Sequence, residues 1–236
     1  FRNTPQELGI SERDRNSRLT VGPVADAYAL ATRVLGTHEV PVYVAINAVT
    51  LASVLPTHPP SVVAARRVGD SLSALRYEMA RALWLAQPEY AIPAVLERQD
   101  AVDLLDATRA AFASRTGPER LSVAATEVAA GLWQALPAGE QREIERVLTA
   151  DDELVDYDRL RAQAMDCAAR AALIASGALA EAVAFLAEHD PALATVDLTR
   201  EPEFGKAARR SSALASTVQA ALSDGFLAAV RSALAD

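Results

Sequence analysis

One ten-residue segment constrains the fold of this chain more than any other. Along most of the 236 residues, apolar side chains recur at every third or fourth position, the spacing of a helix with one buried face. Val40 to Val49 (VPVYVAINAV) breaks that rule. It is rich in β-branched residues and alternates, with Val42, Val44, Ile46 and Ala48 on one side and Tyr43, Ala45, Asn47 and Val49 on the other. A strand is predicted there. Pro56, Pro59 and Pro60 then mark a loop, and Ser61 to Val68 (SVVAARRV) reads as a second strand. The expected class is predominantly α with a small antiparallel β-hairpin or short sheet, an α+β fold.

Helices account for the rest. About fifty alanines raise helix propensity throughout. Residues 1–22 form a polar lead-in in which Arg13, Arg15 and Arg18 alternate with acids and are expected to face water. Pro23 suits the first position of a helix whose apolar set is Val24, Ala27, Tyr28, Ala31, Val34 and Leu35, and Gly36 ends it. After Gly69, with Asp70 or Ser71 as cap, Leu72, Leu75, Met79, Ala82, Leu83 and Ala86 form an apolar stripe up to Pro88. Further helical patterns cover about 90–114, 118–136, 138–149, 152–176, 178–189 and 203–235, with short breaks, so one compact domain is expected. Trp84 and Trp133 fall in apolar helical patterns and are core candidates.

Composition narrows function by exclusion. A formal charge of −8 argues against nucleic-acid binding, which needs clustered cations. With one cysteine, Cys167, and only His38, His58 and His189, no zinc-finger cluster or internal disulfide is expected. Cys167 lies in an apolar run, where a buried and inert thiol is expected. His38 and His58 flank the strand in loops that can approach each other, and His189 suits a helix C-terminus. There is no G-x-S-x-G, no G-x-G-x-x-G and no phosphate-cradling loop. No apolar run reaches membrane-spanning length and Phe1 to Leu19 carries no secretory signal, so a cytoplasmic location is expected. The start at Phe1 suggests a trimmed chain or a piece of a longer one. Cationic side chains are nearly all arginine, the single lysine being Lys206; with Arg209 and Arg210 it forms the only dense basic spot, a solvated helix face or a contact for an acidic partner.

The order helix, strand, proline-rich loop, strand, long helix resembles the heart of the HtpX-like (gluzincin) zinc metallopeptidases, over roughly residues 24–185. In that family an Asn-Ala pair on a strand precedes the helix that carries H-E-x-x-H. Here Ile46-Asn47-Ala48 matches the pair, and the register sets Tyr77-Glu78-Met79-Ala80-Arg81 on the motif. Two histidines at i and i+4 share a helix face and grip one zinc while the Glu polarises its water. Both are replaced, by Tyr77 and Arg81; only Glu78 is kept. The resemblance aligns the third ligand, a Glu on a later helix, with Met165. A phenol, a guanidinium and a thioether make a poor zinc set.

The resemblance therefore implies a degenerate metallopeptidase-like domain at 23–190, followed by a C-terminal helical segment at 191–236. It implies no cofactor and no catalysis, and a protein-interaction or scaffold role with a protein partner. Glu78 and Arg81, at i and i+3, are expected to pair across the vacant site; in an unrelated helical domain Glu78 would simply face solvent. Two alternatives stay open. Residues 176–191 resemble half of a tetratricopeptide unit, and a hydrolase with a non-standard site around Glu78 and Tyr77 is the other.

Overall fold

A computed structural model describes residues 4–15, 21–37, 39–46, 48–66, 71–112, 121–150 and 156–234. The chain divides into two compact units, 1–95 with 163–236, and 96–162.

The first unit begins with a short 3-10 turn, Glu12–Asp14, and helix α1, Pro23–Leu35. α1 starts on its proline and ends where Gly36 takes φ 60°, a left-handed cap that a side chain would strain. Its buried residues Val24, Ala27 and Ala31 follow the expected spacing. Three strands follow: β1, Val42–Ala45; β2, Ala52–Leu55; and β3, Ser61–Ala65. Their order is β1-β3-β2, with β3 parallel to β1 (Val42 opposite Val62) and antiparallel to β2 (Ala52 opposite Ala64).

The predominantly helical fold with a small sheet is thus present, with one correction to its pairing. The proline loop does close an antiparallel hairpin, but its first strand is Ala52–Leu55, not the Val42 segment. The two strands read from the sequence run parallel, because a parallel pair needs a long connection and residues 46–60, β2 included, supply it. Thr57 shapes the hairpin loop, its hydroxyl donating to the Pro59 carbonyl (2.8 Å) and lying 2.6 Å from the Ser61 hydroxyl. Asn47, His38 and residues 67–70 lie outside the described residues, so the Asn-Ala match, the Asp70 cap and the approach of His38 to His58 do too.

Alternation along the strands gives the sheet two covered faces. Val42, Ala52, Val62 and Ala64 join the main core with α1 and helix α2, Leu72–Leu85. Tyr43, Ala45, Leu55 and Val63 form a second layer closed by Ile10 of the lead-in. All five residues of β3 are therefore buried. Although Arg13 and Arg15 are exposed as expected, the lead-in also binds the sheet: Arg15 bridges Tyr43, and Asp14 pairs with Arg66 at 3.2 Å.

α2 is the central element, with Leu75, Met79 and Leu83 fully buried. Burial of each such side chain is worth about 1.5–3 kcal/mol. After it come α3, Pro88–Val95, and, past the second unit, most of α7, Tyr157–Ser176. α8, Leu179–His189, follows a turn at Gly177 (φ 65°). The expected helix over 203–235 is three helices, α9 (Glu201–Arg210), α10 (Ser212–Ala221) and α11 (Asp224–Leu234). Ser211 makes the first break by accepting the Leu214 amide as N-cap of α10.

The second unit holds α4 (Arg98–Phe112), α5 (Val123–Ala135), α6 (Ala138–Ala150) and the first turns of α7. Ser122 caps α5 through the Ala125 amide. Buried Tyr157 donates to the Leu96 carbonyl at 2.7 Å. Trp133, expected in the core, is 55% exposed, because it lies flat on Phe112 at the unit's surface (ring centroids 5.7 Å apart). Among the described residues no single helix is long and apolar enough to cross a membrane.

Candidate functional site

α2 carries Tyr77, Glu78 and Arg81 into the space between the sheet edge and α8. Glu78 is half-buried, and its Oε2 accepts the amide of Ala52 on edge strand β2 at 3.1 Å. Burial pushes its carboxyl above the ordinary 4.5; the Ala52 and Leu51 amides and His189 oppose the rise, and Glu188 adds to it. The carboxylate is committed to the sheet. The expected ion pair with Arg81 is absent among the described residues, because the two side chains leave the helix in different directions.

Arg81 turns toward α7. Its Nη2 donates to Sδ of Met165 at 3.2 Å, and its guanidinium carbon lies 4.6 Å from the centroid of the Phe185 ring. Burial pushes its pKa below the ordinary value, while Tyr77 and Glu78 push it back up. Tyr77, one turn earlier on α2, is only 1% exposed, and its ring meets Phe185 at 5.8 Å in a tilted pair. Its hydroxyl is buried with no hydrogen-bond partner. Burial raises the Tyr77 pKa to about 12, against the charge of Arg81. Tyr77 and Arg81 thus meet at Phe185, Met165 is joined to them through Arg81, and Glu78 stands beside them on the sheet side.

The sequence reading did not single out Phe185. On α8, Glu181, Phe185 and His189 follow i, i+4 spacing and share a face. Phe185 and His189 stack at 4.0 Å with His189 Nδ1 2.9 Å from the Phe185 carbonyl oxygen, and Ser73 of α2 donates to Glu181 at 2.6 Å. A groove of about 460 Å³ opens between segment 48–51, α2 and α8. Glu78, Glu181, Glu188 and His189 line it together with Tyr77 and Phe185.

The other sequence candidates lie elsewhere. Lys206 pairs with Glu203 at 2.8 Å on α9, and Arg209 and Arg210 are exposed at its end. Cys167, expected to be buried, is exposed, since α7 turns Ala164, Ala168, Ala172 and Ala175 inward and Cys167 falls off that stripe. His58 is exposed in the hairpin loop.

A zinc ion does not suit this donor set. The phenol holds its proton to about 12, the guanidinium is cationic, and the thioether is already engaged by Arg81. No group of three or more His, Cys, Asp or Glu among the described residues is placed to hold a metal. A scan against family models, a search of curated proteins and a search of solved structures each returned no match.

Proposed function

We propose that the first unit is a degenerate metallopeptidase-like domain that binds a protein partner and does not cut. The observation that carries this reading is the contact between Arg81 and Met165. The resemblance assigns the second and third zinc ligands to these two positions, on separate helices 84 residues apart in sequence, and here they touch. Convergence of these positions is what such ancestry requires, and their chemistry removes the metal. Glu78, the one retained residue, serves as a staple between α2 and β2.

Packing of β2 and β3 on α2 favours this reading over a tetratricopeptide-like domain, in which no such sheet is needed. The charge of −8 favours a protein over a nucleic acid as partner. Hydrolysis of casein by the purified chain and by Glu78→Gln is the functional test. Equal, background rates are expected; activity lost in Glu78→Gln with the fold intact would establish the hydrolase alternative.

A further inference from the structure

The two faces of the sheet are closed in different ways. α1 and α2 cover one face, whereas the other, formed by Tyr43, Ala45, Leu55 and Val63, is closed by Ile10 with Leu8 and Ala48 packed beside it. Ile10 and Leu8 belong to the lead-in, residues 4–15, in which Ile10 is the one buried side chain among those described. Its backbone bonds close on themselves. The Leu8 and Ile10 amides donate to the Pro5 carbonyl at 3.1 and 2.8 Å, the Gly9 amide donates to the Gln6 carbonyl at 2.9 Å, and the Thr4 amide donates to Glu7 Oε2 at 2.7 Å. A self-bonded turn seated through one apolar anchor has the makeup of a piece that opens without unfolding the rest. β1 keeps its parallel ladder to β3 whether or not the turn is seated.

What occupies the seat also defines its chemistry. Arg15 forms an antiparallel bridge to Tyr43 on the free edge of β1, so this edge accepts an extended backbone in that direction. The apolar face takes the Ile10 side chain. Four residues on, Asp14 meets Arg66 at 3.2 Å, and the same guanidinium donates to the Val44 carbonyl of β1 at 3.4 Å. The Arg66 side chain is 52% exposed, so this pair selects for an acid more than it holds the segment down.

From these observations we infer that the lead-in is an autoinhibitory strap: it opens as a unit, and while seated it keeps an extended segment of a partner protein off the outer face of the sheet and the β1 edge. The partner segment shares the chemistry of the strap, a large aliphatic side chain followed four residues later by a carboxylate for Arg66, with its backbone antiparallel to β1 at Tyr43. This inference rests on the reading of the first unit as a binding module.

The first arm of the test uses the full chain with Cys167→Ser and either Val63→Cys, beneath the strap, or Val62→Cys, its neighbour in the main core. Under native conditions the Val63→Cys thiol is expected to react with a maleimide at least about tenfold faster than the Val62→Cys thiol. Adding Ile10→Asp is expected to speed the first reaction at least about tenfold further and to leave the second unchanged; Ile10→Ser, expected to give about threefold, replaces it should Ile10→Asp fail to fold. Equal rates for the two thiols, or parallel acceleration of both, overturns the strap. In the second arm, a fluorescein-labelled peptide of residues 4–15 is followed by anisotropy on the chain carrying the Ile10 substitution. It is expected to bind at or below about 1 mM, and at least about tenfold more tightly than the same peptide with Ile10→Asp. Absence of binding at that concentration, or equal affinity of the two peptides, overturns the seat. Casein hydrolysis by the parent and Glu78→Gln separates the two levels of the account: background rates with parallel labelling refute the strap alone, whereas activity lost in Glu78→Gln refutes the underlying reading.

Discussion

The guanidinium of Arg81 donates to the thioether of Met165 at 3.2 Å, and no carboxylate among the described residues pairs with it. A partly buried cation held by a sulfur and an aromatic ring is costly to desolvate and weakly repaid. Its lowered pKa has the same origin.

Arg81→Met is therefore expected to fold and to be at least as stable as the parent. Replacing a buried charge with an apolar side chain of similar length gains up to about 1–4 kcal/mol, less the loss of about 0.5–2 kcal/mol of ring contact. Urea denaturation measures the difference. A loss above about 2 kcal/mol would mean that Arg81 is a structural anchor after all.

Glu78 sets a pH dependence whose sign follows from its raised pKa. The folded state favours the protonated carboxyl, so its contribution is fully present below the ordinary 4.5 and is lost as pH rises through the higher folded value. Glu78→Gln does not titrate and still offers an oxygen to the Ala52 amide. Relative to this variant, the parent is expected to lose stability between pH 4.5 and neutrality. Urea titrations of both at the two pH values decide it; a difference that is flat or grows with pH contradicts the assignment.

Leu83→Ala, in the main core, is expected to cost about 2–5 kcal/mol. Denaturant unfolding of the variant is the measurement. A cost below about 1 kcal/mol would show that α2 is not the centre of this core.

Native Cys167 is expected to react with a maleimide at a rate close to that of the urea-unfolded chain, because its side chain is exposed on α7. Strong protection in the native state would place the thiol inside.

What could be read in advance depended on whether a signal was local. Pro23 and Gly36 bracket α1 with backbone constraints of their own, and the alternation of Val42 to Ala45 is intrinsic to the segment. β2 was missed because Ala52–Leu55 holds only four residues, two of them Ala and Ser, and becomes a strand by pairing with β3. The break between α9 and α10 comes from a serine cap instead of a proline or glycine. At the site, the resemblance pointed to Tyr77, Glu78, Arg81 and Met165, and the structure brings Arg81 onto Met165. Phe185 escaped notice because its i, i+4 spacing to His189 looks like any amphipathic helix until Arg81 and Tyr77 close on it from α2. The direction taken by Glu78 was likewise invisible, since the amide it meets belongs to the unread strand.

The central claim is that the positions of Tyr77, Arg81 and Met165 no longer hold a metal. Elemental analysis of the chain, purified from zinc-supplemented cells without chelator, measures it directly. The account predicts no stoichiometric zinc in the parent and no change in Glu78→Gln. One zinc per chain, in the parent or in Glu78→Gln, would contradict it.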